Sequence, residues 1–121
     1  MGVDLAKVKD WTVLCVYDRK TNEQVYQDRF QTIEWPFQKE KIKAVSEHYN
    51  RALCVIDATG VGDPIADDLT RAGIPVEAFK ITEQSKKELV EKLSIYLDQR
   101  TIRMIPTEST LLEFDNYGYE I

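Results

Sequence analysis

Asp4 and Asp57 each stand at the end of a short apolar run, and no other feature of this chain invites chemistry as directly. Leu53–Ile56 is too short for a lone helix and unbroken in its hydrophobicity, as in a strand buried on both faces. After Asp57 comes Ala-Thr-Gly-Val-Gly-Asp-Pro, which predicts a turn and then a helix. Asp63 is its expected N-cap and Pro64 its first residue, with Ile65, Ala66, Leu69 and Ala72 at helical spacing and Gly73 as the stop. An acid at the carboxyl end of such a strand lies where open α/β sheets place their sites.

If Asp4 ends a neighbouring central strand, two carboxylates share one sheet edge. Burying unpaired charge there is costly. Mg²⁺ relieves the cost, because it takes hard oxygen ligands from one or two carboxylates, waters and substrate phosphates. Two such ions, roughly 3.5–4 Å apart, activate a water and stabilise the leaving oxygen in phosphodiester cleavage. The same two acids also fit a structural role, capping loops at strand ends. Spacing alone leaves both readings open.

Other motifs are weaker. Gly60-Val-Gly62 lacks the third small residue of a dinucleotide fingerprint, since Ile65 stands there, and no Gly-Lys-Ser/Thr follows for a P-loop. It reads as a tight turn. Asp67 and Asp68 are expected to suit the positive first turn of their helix. His48, the single histidine, is expected at the surface beside Tyr49. Lys39, Lys41 and Lys43, like Lys86, Lys87 and Lys92, read as solvated faces of a type that meets phosphates.

The elements that position these residues follow from period and punctuation. Val3–Ala6 is a short strand, Lys7–Asp10 a polar turn, Trp11–Tyr17 a central strand and Gln24–Gln31 a strand nearer an edge. A helix is predicted from Pro36 to about Asn50, with Phe37, Ile42, Val45 and Tyr49 as its apolar stripe. Val76–Ile81 is a further strand. Ser85-Lys-Lys-Glu88 is read as a capping box opening a helix to about Gln99, with Leu89, Val90, Leu93, Tyr96 and Leu97 inward. A short strand over Ile102–Ile105 and a helix from Glu108 to about Asp115 complete the pattern. An antiparallel start followed by right-handed β–α–β crossovers predicts a mixed five-stranded α/β sheet with helices on both faces. The first strand then lies beside the Asp57 strand.

With 121 residues, 43% hydrophobic and 31% charged, the chain is expected to form one globular domain. A net charge of −5 disfavours a protein that holds nucleic acid by bulk charge alone, yet allows local basic patches around an acidic pocket. Cys15 and Cys54 sit in apolar runs without a CxxC or secretory signal, and are read as reduced core residues of a cytoplasmic protein. No apolar run reaches membrane-spanning length, so no membrane partner is expected.

Gly2-Val-Asp4-Leu-Ala6 with Asp10-Trp-Thr-Val13 resembles the first motif of the nuclease domain of phage terminase large subunits. Val55-Ile-Asp57-Ala-Thr-Gly-Val-Gly-Asp-Pro-Ile-Ala-Asp-Asp-Leu69 is similar to the second. Ser85-Lys86, Ile102-Arg-Met-Ile-Pro106 and Leu111-Leu-Glu-Phe114 resemble the segment that follows.

The resemblance implies a ribonuclease H-like fold and metal-dependent cleavage of concatemeric viral DNA during genome packaging in the cytoplasm of a bacterial host. It implies Asp4 and Asp57 as catalytic metal ligands for Mg²⁺ or Mn²⁺, with Asp10 helping at the second ion. Double-stranded DNA is the implied substrate, with Lys86 and Lys87 as candidate DNA contacts. An ATPase motor domain, the portal and the small terminase subunit are the implied partners. The family carries more apolar residues ahead of the first acid and a further motif with adjacent aspartates beyond Glu113–Ile121. The chain is therefore read as one nuclease domain over 1–121, cut at both ends and weak or inactive in that form. The rival from another class is a prophage-derived remnant that binds DNA or self-associates without catalysis. A sugar-kinase or actin-like ATPase lobe shares the fold but needs a second domain to close over nucleotide.

Overall fold

Alternation sets the first half of the sheet. Thr12, Leu14 and Val16 turn to one side of their strand and are buried, whereas Trp11, Val13, Cys15 and Tyr17 turn to the other. The computed structural model of the chain describes residues 1–5, 11–31, 34–57 and 62–116. Its strands are β1 (Gly2–Asp4), β2 (Trp11–Tyr17), β3 (Gln24–Gln31), β4 (Cys54–Asp57) and β5 (Val76–Phe79). They form one sheet in the order β3-β2-β1-β4-β5. The β3-β2-β1 half is antiparallel and β1-β4-β5 is parallel, with α2 (Gly62–Arg71) as the crossover between β4 and β5.

Two helices cover one face of this sheet, α1 (Trp35–His48) and α2 (Gly62–Arg71). Ile42 and Val45 of α1 and Ala66 and Leu69 of α2 close a core with Val3, Leu14, Val16, Cys54 and Ile56. Polar pins fix the helices in place. Trp35 Nε1 donates to Asp68 Oδ2 at 2.8 Å, and Lys39 pairs with the same carboxylate at 3.3 Å, tying α1 to α2. Lys41 pairs with Asp28 of β3 at 2.6 Å while its ammonium lies 4.2 Å from the centre of the Phe30 ring.

The second face carries the C-terminal part of the chain. The backbone N–H of Ile105 donates to Gln24 Oε1 at 2.8 Å, and Gln27 Nε2 donates to Thr110 Oγ1 at 3.1 Å. These bonds bring α4 (Glu108–Asn116) against the β3 side, beyond α3 (Glu83–Asp98). Helices on both faces of a mixed five-stranded sheet are what the sequence predicts. No helix among the described residues is long and apolar enough to cross a membrane.

Several local expectations need correction. The α3 capping box lies three residues earlier, at Thr82: its hydroxyl accepts from Ser85 N, and Ser85 Oγ accepts from Thr82 N. Ser85 thus occupies the position that a Glu or Gln usually fills. None of the inward residues expected on α3 is buried; Leu89 is 47% exposed and Tyr96 45%. Helical periodicity reports a stripe, not the surface that buries it. Phe37 is likewise exposed, and the stripe of α1 rests on Ile42 and Val45. Ile102–Ile105 makes only a single bridge, Arg103 to Glu23, because Pro106 breaks the run before a ladder can extend. Asp63 falls inside α2, which starts at Gly62, and Asp68 lies in its second half, where Trp35 and Lys39 give it a tertiary role.

Candidate metal centre

Register is what assembles the site. Gly2 pairs with Val55 and Val3 with Ile56 across the parallel β1–β4 ladder. One residue further along both strands come Asp4 and Asp57, the last residues of β1 and β4. Val3 and Ile56 are buried beneath the helices, so their successors turn to the opposite face, where Asp4 is exposed and Asp57 half-buried. The pairing continues outward on that face: Asp4 with Val13, Val13 with Arg29, and Asp57 with Phe79. A single row across the sheet therefore reads Arg29, Val13, Asp4, Asp57, Phe79.

The ends of the strands decide what lies around this row. β1, β4 and β5 run parallel, so Asp4, Asp57 and Phe79 finish at the same sheet edge. β2 runs the other way and starts there with Trp11, opposite Gln31 at the end of β3. Lys86 and Lys87, both exposed, lie in the opening turns of α3, which follows β5 at the same edge. Asp10 and the Thr59-Gly60-Val61 turn lie outside the described residues. Among the described residues, no group of three His, Cys, Asp or Glu side chains forms a metal-binding cluster.

The donor set suits a hard cation. Two adjacent carboxylates repel each other, and a divalent ion between them turns repulsion into attraction. Neither thiol competes for that role. Cys54 is buried beneath the helices, and burial pushes its thiol up to about 11. Cys15 is half-buried and its pKa is raised for the same reason. His48 is exposed, with its ring edge-on to Tyr49 at 4.8 Å, as the sequence suggests.

Other carboxylates of the helix-covered face serve packing. The bond from Trp35, with Lys39 beside it, holds the Asp68 carboxyl below its usual range. Partial burial works to raise Asp28, but bonds from Lys41, Tyr26 and the Arg29 backbone outweigh it and lower its pKa. A cleft of about 430 Å³ opens at the other end of the sheet, between the last turns of α1 and α2. Lys43 and Arg51 line it beside the carbonyl ends of both helices, and Arg51 Nη2 donates to Gly73 O at 3.2 Å. Cations there answer the negative helix termini, a structural duty far from Asp57.

Arg29 and Trp11 escaped the sequence reading. The guanidinium carbon of Arg29 lies 4.5 Å from the centre of the Trp11 ring, on the same face as Asp4 and Asp57. Its Nε is buried and meets no hydrogen-bond partner among the described residues. Pairing the two predicted strands end to end would have found the contact, since Trp11 then falls opposite Gln31 and Val13 opposite Arg29.

Comparison with known proteins bears on this geometry. Residues 1–117 match the family described as Terminase RNaseH-like domain. The chain is 33% identical to the large terminase subunit of Thermus virus P23-45 and 32% identical to that of Thermus phage G20c. Each match covers 98% of the chain but 25% of the relative, so the chain spans about a quarter of their length. Among solved structures, the large terminase nuclease of phage G20c with bound magnesium aligns with a TM-score of 0.91 at 29% identity, over 98% of this chain and 64% of that one. The same nuclease with bound zinc gives 0.88 at 29% identity, covering 98% and 69%. The nuclease domain of Thermus phage P74-26 gives 0.87 at 27% identity, covering 98% and 62%.

Proposed function

The chain belongs to the terminase RNaseH-like domain family, and from that premise we propose that it is a metal-dependent endonuclease domain that cleaves concatemeric double-stranded phage DNA during genome packaging. One observation carries the reading. Asp4 and Asp57 end adjacent parallel strands in register, on the face turned away from α1 and α2. Two acids in one row support a shared ligand set over two separate loop caps.

In this reading Asp4 and Asp57 are the catalytic carboxylates that would hold Mg²⁺ or Mn²⁺, with Asp10 contributing at a second ion. The metal, when bound, supplies activation of a water and stabilisation of the leaving oxygen. The chain supplies position. Backbone ladders on both sides of β1 fix Asp4, and ladders on both sides of β4 fix Asp57, so neither carboxylate depends on a loop for its placement. The helices packed behind the sheet keep that edge rigid. Lys86 and Lys87 would meet phosphates of the duplex as it crosses the edge. The motor ATPase domain, portal and small terminase subunit are the partners of this activity, and the bacterial cytoplasm is its setting.

Supercoiled plasmid incubated with the chain and increasing Mn²⁺ tests the reading. Two carboxylates hold divalent ions loosely without substrate phosphates, so nicking should be slow and should rise with metal. Chelation, Asp4→Asn or Asp57→Asn should each abolish it. Nicking that survives chelation, or equal nicking by Asp57→Asn, would remove the metal reading.

A further inference from the structure

Among the described residues, Arg29 combines a place in the site row, a stacked guanidinium and no ion pair. We infer that Arg29, stacked on Trp11, forms a contact for a backbone phosphate of the duplex that reaches the Asp4–Asp57 pair. The inference rests on the nuclease reading above and adds a substrate contact to it.

Two observations support the assignment. Arg29 stands in the same row as the two acids and on the same face, two strand spacings, or about 10 Å, from Asp4. Arg29 enters no ion pair among the described residues; its neighbour Asp28 turns to the opposite face and pairs with Lys41. Its Nε is buried without a partner among those residues and lies out of reach of a duplex, so the contact falls to the terminal nitrogens.

Stacking also explains why arginine and tryptophan occur together. The indole takes the flat face of the guanidinium and restricts its rotation, leaving the N–H edge to donate. A guanidinium held in this way matches two phosphate oxygens, which a mobile lysine does only as a point charge. Trp11 is 42% exposed at the edge where β1 and β4 end, so the pair borders solvent where a duplex would pass. A cation there would also offset repulsion between DNA and two carboxylates on a chain of net charge −5.

The test uses the 121-residue chain without divalent metal, a labelled mixed-sequence duplex and fluorescence anisotropy over a range of salt. Arg29→Gln keeps the aliphatic stem and removes the charge. It should flatten the slope of log affinity against log salt by about 0.9, the share of one phosphate contact. Between about 50 and about 200 mM salt the gap to the parent should narrow by about threefold. Arg29→Lys should recover most of the slope. In a Trp35→Phe background Trp11 is the single tryptophan, and its emission should change as duplex saturates the chain.

Urea midpoints would identify a variant that has lost its fold, and Arg29→Lys then serves as the folded comparison for Arg29→Gln. An unchanged salt slope in Arg29→Gln, a Trp11 emission blind to duplex, or no duplex binding by the parent would overturn the assignment. The two readings fail separately. If Asp57→Asn nicks plasmid like the parent while Arg29→Gln still flattens the slope, the metal reading falls and the phosphate contact stands.

Discussion

Asp57 and Cys54 sit three residues apart on one short strand and meet opposite surroundings. Cys54 points under the helices, where burial raises its thiol to about 11. Native protein should therefore resist alkylation at Cys54 at about pH 8, while Cys15, half-buried and less strongly perturbed, should react slowly. Mass spectrometry after timed quenching reads both sites. The sign of the linkage is fixed as well: the neutral thiol is favoured in the fold, so its contribution is present below the ordinary value of 9.0. It is lost as pH climbs toward about 11, at no more than about 1.4 kcal/mol per pH unit. Denaturation midpoints that stay flat through that alkaline window would contradict a buried thiol. At this scale the sequence was informative wherever an apolar run ends on a polar residue, as at Asp57. It was silent on Arg29, because a cation on a strand beside Asp28 and Gln31 looks like any solvent-facing residue until register shows what it stands next to.

Elements differ in how much their own sequence determines. β2 and β3 occupy the residues expected of them, Trp11–Tyr17 and Gln24–Gln31, since alternation and a polar turn suffice to define a hairpin. α3 formed as expected except that it opens three residues earlier, but its expected burial did not follow, because an apolar stripe says nothing about a partner. Its ends carry the available local stability. Arg100 follows the helix with φ of 56°, its N–H bonding Leu97 O and the next N–H bonding Tyr96 O, a termination that normally selects glycine. Arg100→Gly should stabilise α3 by about 0.5–1 kcal/mol, visible as slower amide exchange along 83–98. Thr82→Ala should do the reverse, raising exchange there by removing a cap worth about 0.5–2 kcal/mol. Neither change should shift exchange in β4. Leu69→Ala has the opposite reach: fully buried between α2 and the sheet, it should lower global stability by about 2–5 kcal/mol in urea denaturation. A loss below about 1 kcal/mol would mean that α2 does not close the core as described.

Across the whole molecule, strand order was legible because β–α–β crossovers are right-handed and bring β1 beside β4. The path of residues 102–116 over the second face was not, since it depends on side-chain bonds from Gln24 and Gln27 that no periodicity encodes. The functional consequence lies in the first of these facts. An in-register parallel pair puts two acids in one row at a rigid edge, on a chain that belongs to the terminase RNaseH-like domain family. Mn²⁺ binding to the chain, measured by calorimetry for the parent, Asp4→Asn and Asp57→Asn with circular dichroism on the same samples, tests that placement most directly. Weak but saturable binding is predicted for the parent, with each variant losing about tenfold or more in affinity and keeping its spectrum. Equal Mn²⁺ affinity in the parent and both folded variants would contradict a metal seat at Asp4 and Asp57.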